Sequence, residues 1–291
     1  MAIVRLRSLG DCVLTTPALE ILKRFRSDLR LAVVVEDRFR SIFENNCDVD
    51  GLLPPEPLAV RRWRPALCLN LHGGSRSACM TALSGARYRA GFAHFRPNSL
   101  YNVRIPRAQQ ILNVERTVHT AEHLASAIFY LGAARVAIPR AKLAAGPLPE
   151  GFSANYAVFH PAASAPEKTW RAEGFLAVAE HLKSAGLEPV FIGGAGDDLS
   201  PFRNHRVMAG APLAEVKSVI GRASLFVGND SGPAHLAAAF GAPCVVIFGA
   251  SDPAIWGPWR TASEIVAAPG GIGAVTVARV LEALTRLGAP V

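Results

Sequence analysis

The chain has 291 residues, half of them hydrophobic and 19% charged, with 31 basic against 23 acidic residues and a net charge of +8. That length and apolar content exclude a disordered chain and leave room for two domains, each with its own core. The positive charge favours an anionic partner. Because no aromatic-interleaved basic motif, zinc knuckle or helix-turn-helix pattern is present, nucleic acid is disfavoured. A phosphorylated acceptor or an anionic membrane surface fits better.

The five cysteines are scattered, and most lie in apolar runs. This spacing is typical of a reducing compartment and not of a disulfide framework. The N-terminus leads directly into the strand-like run 3–6 without a signal-peptide pattern, and the apolar stretches are too short to cross a bilayer. We therefore expect a cytoplasmic protein, with peripheral contact to the inner face of the cytoplasmic membrane.

In the first half of the chain, apolar runs alternate with helical patterns. The predicted strands are 2–6, 31–35 and 66–70, and the predicted helices are 18–25, 77–83 and 114–131. This alternation indicates a parallel sheet covered by helices on both faces. The stretch 146–151 is rich in proline and glycine and is the best linker. We accordingly place an N-terminal domain at 1–147 and a C-terminal domain at 148–291.

The same alternation starts again after the linker. The predicted strands are 156–160, 189–192, 225–227 and 244–248, and the predicted helices are 172–185, 213–221, 233–240 and 275–287. Two similar α/β halves of this kind predict a cleft between them, and ligands of open α/β sheets bind at the carboxyl ends of the strands. Five residues lie just past such ends: Asp11, His160, Gly193, Asp230 and Gly249.

The segment 225–241 carries the most informative local pattern. An apolar strand leads through Gly, Asn, Asp and Ser into Pro233 and an alanine-rich run that stops at Gly241. Ser231 or Asp230 suits the N-cap of a helix, and Pro233 suits its first turn. The free N–H groups at such a helix start attract anions, most naturally phosphate or diphosphate. We predict that the N–H groups of Ser231, Gly232 and Ala234 hold a diphosphate.

Three motifs occur in order along nearly the whole chain. The first is the run 5–19, RLRSLGDCVLTTPAL; the second is HPAAS at 160–164 followed by KTW at 168–170; the third is 228–236, followed by GAP at 241–243 and FGASDP at 248–253. Together they resemble the motifs of glycosyltransferase family 9, the lipopolysaccharide heptosyltransferase family.

This resemblance implies a GT-B architecture, in which two Rossmann-like domains with parallel sheets face each other across a cleft. It implies an inverting transfer of a sugar, a heptose from ADP-heptose, onto a lipid-linked or phosphorylated glycan acceptor of the lipid A and core type. The donor is expected in the C-terminal half and the acceptor in the N-terminal half. No cofactor is implied, and no metal is required if protein cations and helix dipoles stabilise the leaving diphosphate.

Asp11 and Lys168 are the predicted catalytic residues. An inverting transferase must remove a proton from the acceptor hydroxyl as it attacks the anomeric carbon, and an aspartate with a pKa of about 3.9 is ionised and able to do so. From spacing alone, Gly-Asp before an apolar run is more often a helix cap, but the resemblance favours the base. Lys168 suits the charge that develops on the leaving diphosphate, although a lone lysine is more often simply solvated.

The predicted donor-binding residues share small or polar side chains near strand ends. Thr169 adds a hydroxyl, Ser164 offers backbone N–H groups, and Asp198, with Asp197, resembles the acidic position that binds the nucleotide ribose. For His160 and His235, a ligand contact and a packed core histidine are both open. The full predicted set is His160, Ser164, Thr169, Asp198, Asp230, Ser231, Gly232 and His235.

Two further patterns suggest metal chemistry. Asp48-Val49-Asp50 has the Asp-x-Asp form of metal-dependent glycosyltransferases, but the following Gly51 makes a turn the better interpretation. His119 to His123 fits an H-x-x-E-H zinc pattern, in which histidines four residues apart share a helix face. No downstream ligand helix is evident.

Three alternative functions stay open. A protein that keeps the nucleotide-sugar site but is catalytically inactive would not depend on Asp11. A zinc hydrolase would use His119 and His123. A nucleotide-sugar epimerase of similar architecture would convert the donor without an acceptor. The glycine-rich loop 193–196 lacks the last glycine of a dinucleotide fingerprint, which disfavours a dehydrogenase.

Overall fold

The computed structural model describes residues 1–152 and 155–289, and the chain divides into two compact units, Met1–Ala144 and Ala145–Val291. The division falls next to the proline- and glycine-rich stretch in which the sequence places the boundary at residue 147. The units are called the first and the second unit below.

The first unit is built on one parallel sheet. Its strands are β1 (Ala2–Val4), β2 (Ala32–Val34), β3 (Gly51–Leu53), β4 (Leu67–Asn70), β5 (Tyr88–Phe92) and β6 (Val103–Ile105). Its helices are α1 (Leu9–Phe25), α2 (Pro57–Trp63), α3 (Ser75–Leu83), α4 (Ala108–Leu112) and α5 (Thr120–Tyr130). The strands lie in the order β3-β2-β1-β4-β5-β6. This Rossmann order reverses between β1 and β4, where ligands of such sheets bind.

The second unit repeats this order. Its strands are β7 (Tyr156–His160), β8 (Glu188–Gly193), β9 (Arg206–Ala209), β10 (Leu225–Asn229), β11 (Cys244–Ile247) and β12 (Ser263–Val266). Its helices are α6 (Ala172–Ser184), α7 (Leu213–Ile220), α8 (Gly232–Phe240), α9 (Pro253–Trp256) and α10 (Val277–Arg286). The order β12-β11-β10-β7-β8-β9 reverses between β7 and β10. The predicted α/β class with parallel sheets is confirmed in both units.

Burial explains which strands the sequence predicts well. Strands β1, β2, β7 and β10 are buried along their whole length, so they read as continuous apolar runs. The core of the second unit includes stacked rings. The ring centroid of Phe191 lies 4.9 Å from that of Phe159 and 4.2 Å from that of Phe202. Each fully buried phenylalanine contributes about 1.5–3 kcal/mol by leaving water. The rigid sheet therefore fixes the strand ends that carry the polar loops.

The predicted helix 18–25 is too short, because α1 begins at Leu9 and continues through Pro17. Proline lacks the N–H that would bond to the Val13 carbonyl, and it usually starts or breaks a helix. Here the hydroxyl of Thr16 donates to the Val13 carbonyl at 2.9 Å and takes the place of the missing bond. The helix therefore reaches back to the loop that contains Asp11.

The predicted helix 114–131 is too long, because α5 begins only at Thr120. His119 is its N-cap, and the Nδ1 atom of His119 accepts a hydrogen bond from the Ala121 N–H at 3.1 Å. The chain before it contains the short helix α4 and an irregular segment. Within the described ranges, no helix combines the length and apolar character needed to cross a membrane.

Candidate functional site

The carboxyl ends of β7 and β10 bring together the second unit's predicted residues. These strands are neighbours, and His160 at the end of β7 is in register with Gly228 of β10. Asp230 and Ser231 follow β10 directly, and α8 begins at Gly232. This is the position at which the strand order reverses, so the two predicted motifs meet at the expected ligand edge of the sheet.

The start of α8 matches the predicted helix start in most respects. Ser231 is the N-cap, Pro233 lies in the first turn, and Gly241 ends the helix with a φ of 80°. The prediction that the Ala234 N–H binds a diphosphate is wrong, because this group donates to the Ser231 carbonyl at 3.1 Å. In the described part of the chain, the N–H groups of Ser231 and Gly232 donate to no backbone carbonyl. Both residues are half-buried, and unpaired amides at a helix start suit an anion.

Asn229 organises this edge, although the sequence places it only in a turn. It is the last residue of β10 and is fully buried. Its Nδ2 atom donates to the Pro161 carbonyl at 2.7 Å, and its Oδ1 atom accepts from the Trp170 N–H at 3.1 Å. One side chain thus fastens both ends of the loop 161–170. The sequence signal that could indicate this role is an asparagine that ends an apolar run directly before an Asp-Ser pair.

Lys168 and Asp230 form an ion pair beside the start of α8. The Nζ atom of Lys168 lies 3.5 Å from Oδ2 of Asp230, and the two side chains are 30% and 8% exposed. Lys168 ends the short turn Pro166–Lys168. Gly249 packs against that turn so closely that a Cβ atom would collide with the Glu167 carbonyl. The lysine is therefore held in place while its ammonium group remains accessible.

His160 contacts the N-cap of α8. Its Nδ1 atom lies 2.9 Å from the hydroxyl of Ser231, and that hydroxyl is 3.1 Å from the Asn229 carbonyl. Both bonds form together when the imidazole donates from Nδ1 and the hydroxyl donates to the carbonyl. Burial lowers the pKa of His160 to about 4, so the ring is neutral near pH 7. In this arrangement His160 holds the serine that caps the helix.

The other predicted donor-binding residues lie around this cluster with local partners. Ser164 is exposed, and the hydroxyl of Thr169 donates to the Ala165 carbonyl at 3.0 Å. Asp198 is exposed beyond β8, where it accepts the Ser200 N–H at 3.0 Å. A hydrogen bond from the Ser200 side chain is the main cause of its lowered pKa, and the Ser200 N–H adds to it. His235 is buried on α8, with its ring centroid 6.5 Å from that of Trp256. The predicted ligand contacts of these residues remain predictions.

Trp170, which the sequence assigns to packing, is only 1% exposed. Its Nε1 atom donates to the Val275 carbonyl at 2.9 Å, and its ring meets Phe175 edge-on at 5.0 Å. Trp170 is therefore a core residue, and it anchors the loop that carries Lys168.

In the first unit, Asp11 lies at the reversal between β1 and β4. It is the third residue of α1, while Ser8 is the N-cap. Its Oδ2 atom accepts from the N–H and the hydroxyl of Ser8 at 3.3 and 3.0 Å, and its Oδ1 atom lies 3.2 Å from Nη1 of Arg5. Asp11 is thus part of a capping box and is also held at the expected ligand edge.

Arg5 links that carboxylate to the neighbouring strand. Its guanidinium is almost fully buried, and Nη2 donates to the carbonyl of Leu71, directly after β4. Asn70, the last residue of β4, accepts the N–H groups of His72 and Gly73 at 2.9 and 3.1 Å. Burial is the main cause of the lowered pKa of His72, and the charge of Arg5 adds to it. This edge therefore holds a fixed carboxylate beside an ordered loop.

The Asp-x-Asp pattern serves the fold of the first unit. Oδ2 of Asp50 accepts from Nζ of Lys23 at 2.8 Å and from the Leu31 N–H at 2.7 Å. Asp48 lies 3.6 Å from Nζ of Lys142. The two carboxylates thus have separate partners, in agreement with the turn interpretation.

The H-x-x-E-H segment does not form the expected pair on one helix face, since His119 precedes α5. Glu122 is bound to Arg116 at 2.6 Å, and His123 stacks on Phe92 with ring centroids 4.0 Å apart. Burial lowers the pKa of His123 to about 4. Across residues 1–152 and 155–289, no group of three or more His, Cys, Asp or Glu side chains is placed to hold a metal ion.

Comparison with known proteins identifies a sequence family. A family model described as glycosyltransferase family 9 (heptosyltransferase) matches residues 60–273. Lipopolysaccharide heptosyltransferase 3 of Escherichia coli is 35% identical over 120 residues, which span 38% of this chain and 35% of that enzyme. The matched part of that relative is therefore about a third of its length.

Two solved structures share the fold over both units. The glycosyl transferase family 9 structure from Veillonella parvula DSM 2008 has a TM-score of 0.83 at 21% identity and covers 98% of this chain and 96% of its own. The E. coli heptosyltransferase WaaC, solved with ADP-2-deoxy-2-fluoro heptose, has a TM-score of 0.79 at 21% identity and covers 98% of each chain. These likenesses confirm the predicted GT-B fold class.

Proposed function

Because this chain belongs to glycosyltransferase family 9, we propose that it transfers a heptose from ADP-heptose, with inversion, onto a lipopolysaccharide core acceptor. One observation carries the proposal: the open start of α8 lies beside the Lys168–Asp230 ion pair, whose atoms are 3.5 Å apart. A solved relative with the same fold, WaaC, binds an ADP-heptose analogue.

The second unit supplies the donor site. The N–H groups of Ser231 and Gly232 and the ammonium of Lys168 bind the two phosphates, since a helix start and a fixed cation both favour negative charge. Negative charge grows on the diphosphate as the bond to the sugar breaks, and these groups stabilise it without rearranging. Asp230 keeps Lys168 in position, and its remaining lone pairs accept a hydroxyl of the donor sugar.

Five more residues complete the proposed donor site. Asp198 binds the ribose hydroxyls, and Ser164 and Thr169 contact the phosphates from the loop 161–170. His160 acts through Ser231, which it holds at 2.9 Å. His235 lies one turn into α8 and supports the same phosphate side. The position of these residues after β7, β8 and β10 supports the proposed roles.

The first unit supplies the base. The carboxylate of Asp11 accepts the proton of the acceptor hydroxyl while the hydroxyl oxygen attacks the anomeric carbon. A single displacement of this kind inverts the configuration of that carbon. Ser8 and Arg5 hold the carboxylate in one orientation, which reduces the reorganisation needed during the reaction. If Asp11 is dispensable, the inactive nucleotide-sugar-binding alternative replaces this proposal.

We also propose that the reaction needs no divalent metal. Lys168 and the start of α8 provide positive charge at the leaving group, which is the task that a metal performs in other transferases. The measurement is transfer activity after exhaustive chelation and dialysis. Full activity supports the proposal, while loss of activity that added Mg²⁺ or Mn²⁺ restores contradicts it.

A surface of the first unit suits an anionic bilayer. Leu58, Arg61 and Arg62 share one face of α2, and Arg61 reaches the turn at Gly85. That turn joins two more exposed apolar side chains and a cation: Leu83, Tyr88 and Arg87. Exposed apolar groups among arginines bind best to membranes with negative headgroups. We propose that this surface holds the enzyme at the cytoplasmic face of the membrane.

Vesicle co-sedimentation tests this membrane contact. Wild-type protein is expected to bind phosphatidylglycerol vesicles and not phosphatidylcholine vesicles, with binding reduced by salt. Leu58→Ser combined with Leu83→Ser lowers binding, whereas Ile265→Ser, at an exposed position of the second unit, serves as the matched control. Equal binding of the double variant and the control contradicts the assigned surface.

The donor is tested by calorimetric titration with ADP-, UDP-, GDP- and CDP-sugars. The proposal predicts the tightest binding for ADP-heptose. If ADP-sugars bind no better than the others, the heptose donor is wrong. If no nucleotide sugar binds, glycosyl transfer by this chain is contradicted.

A further inference from the structure

An exposed cysteine and an exposed lysine of the first unit are in contact. Nζ of Lys142 lies 2.9 Å from Sγ of Cys47. Both residues are accessible to solvent. None of the roles proposed above uses either residue, and the sequence separates them by 95 positions.

The surroundings hold this pair together. Asp48 is only 8% exposed, and its Oδ2 atom forms no hydrogen bond within the described ranges yet lies 3.6 Å from Nζ of Lys142. The main chain of Lys142 is fastened on both sides, since its N–H donates to the hydroxyl of Thr16 at 2.9 Å and its carbonyl accepts from Asn46 at 3.3 Å. The buried carboxylate of Asp48 therefore helps to hold Nζ of Lys142 next to Sγ of Cys47.

We infer that Cys47 and Lys142 form an oxidative cross-link, a direct bond between Sγ and Nζ, when the protein meets hydrogen peroxide. Peroxide oxidises accessible cysteine sulfurs, and Cys47 is exposed with the Lys142 ammonium in contact with its Sγ atom. The hydrogen bond to Cys47 is the main cause of the raised pKa of Lys142. Cys47 and Lys142 thus combine a direct contact, exposure to solvent and a positive charge next to the sulfur.

The chemistry balances with peroxide as the sole oxidant. The thiolate attacks one peroxide oxygen, which gives a sulfenic acid on Cys47 and releases hydroxide. The hydroxide removes one proton from the ammonium of Lys142 and becomes water. The free amine then attacks the sulfur and expels a second water, leaving an S–N bond with one hydrogen on nitrogen. Sulfur loses two electrons and the peroxide gains them.

Peptide mass spectrometry after peroxide treatment tests the cross-link. We expect a linked pair of peptides containing residues 47 and 142, lighter by two hydrogen atoms than the sum of the reduced peptides and separated by dithiothreitol. The melting temperature is expected to rise on oxidation and to return after reduction, because the link closes a long loop. Cys47→Ser abolishes both changes.

Two variants separate this bond from ordinary cysteine oxidation. Lys142→Arg keeps a cation beside the sulfur but removes the nucleophilic amine, so the sulfenic acid persists and dimedone labels Cys47. Cys79→Ser is the matched control, since Cys79 is also exposed and forms no hydrogen bond to a lysine within the described ranges. Absence of the linked peptides, together with equal dimedone labelling of Cys47 in wild type and Lys142→Arg, overturns the inference.

Discussion

The two units share one strand order but use the starts of their helices differently. In the first unit, Asp11 occupies the third position of α1 and its carboxylate caps that helix. In the second unit, α8 begins Gly-Pro-Ala and has no acidic residue in its first turn. A helix start that contains its own carboxylate has its amides capped from within, whereas one that lacks a carboxylate leaves amides for an external anion. In the proposed reaction, the same supersecondary unit thus serves both the acceptor half and the donor half.

The largest effect on activity is expected when the carboxylate of Asp11 in the first unit is removed. Asp11→Asn should lower kcat by about 10³-fold, because an amide cannot accept the proton of the acceptor hydroxyl. The affinity for ADP should not change, since the residues proposed to bind ADP belong to the second unit. Steady-state transfer assays and calorimetry measure the two quantities.

Asp28→Asn is the control for this variant, because Asp28 is exposed and pairs only with its neighbour Arg26 in the described salt bridges. If Asp11→Asn retains wild-type activity, Asp11 is not the base and the division of roles between the units fails.

The second unit is tested by Lys168→Met. Loss of the ammonium should lower kcat/KM by about 10²-fold and should also weaken ADP binding, because the proposed task of Lys168 is to stabilise the diphosphate. Lys168→Arg should recover part of both losses. Lys183→Met, at an exposed position of α6, is the matched control. Unchanged ADP affinity in Lys168→Met would refute the donor role of this residue.

The loop that carries Lys168 depends on Asn229. Asn229→Ala leaves the Trp170 N–H and the Pro161 carbonyl without their partner, and this should lower the free energy of unfolding by about 3 kcal/mol. Urea denaturation measures the change, with Asn204→Ala in an exposed turn as control. Equal midpoints for the two variants would show that the clamp contributes nothing to stability.

Each unit also contains a histidine that should make the fold sensitive to acid, the buried His160 and the half-buried His123. The pKa of His160 and of His123 is about 4, below the ordinary value of 6.5. Between these values the unfolded chain binds protons that the folded chain does not, so stability is complete above about pH 6.5 and falls as the pH drops toward 4. Each histidine should cost about 2 kcal/mol between pH 7 and pH 5.

Urea titrations at several pH values measure this loss. His123→Asn should flatten the pH dependence through the first unit, and His160→Asn should do so through the second. A wild-type stability that stays constant from pH 7 to pH 5 would contradict the lowered pKa of both histidines.

Local patterns in the sequence predict the buried framework well. The strand 156–160 and the helix that begins beside Ser231 follow from apolar runs, a capping residue and a stopping glycine. The edge strands β3, β6, β9 and β12 are missed because they are short and β3, for example, has no fully buried residue. The inner strand β5 is missed as well, and its first two residues are not buried. The early start of α1 is missed because Pro17 suggests that no helix continues through it. The Thr16 hydroxyl replaces the hydrogen bond that Pro17 cannot make, and this replacement has no general sequence signature.

The candidate sites are predictable only in part for a related reason. Motif resemblance identifies Asp11, Lys168 and the segment around Ser231, which lie in recognisable local patterns. The contacts that fix them join distant parts of the chain. Arg5 reaches a carbonyl 66 residues away, and Asn229 binds partners 59 and 68 residues away. Such pairings follow from the strand order and not from local composition.

A crystal structure of the protein with ADP gives the most direct test of the donor site. It should show diphosphate oxygens within hydrogen-bond distance of the Ser231 and Gly232 amides and of Nζ of Lys168. A diphosphate bound elsewhere, with those amides facing protein or solvent, would contradict the assignment of the α8 helix start to the donor.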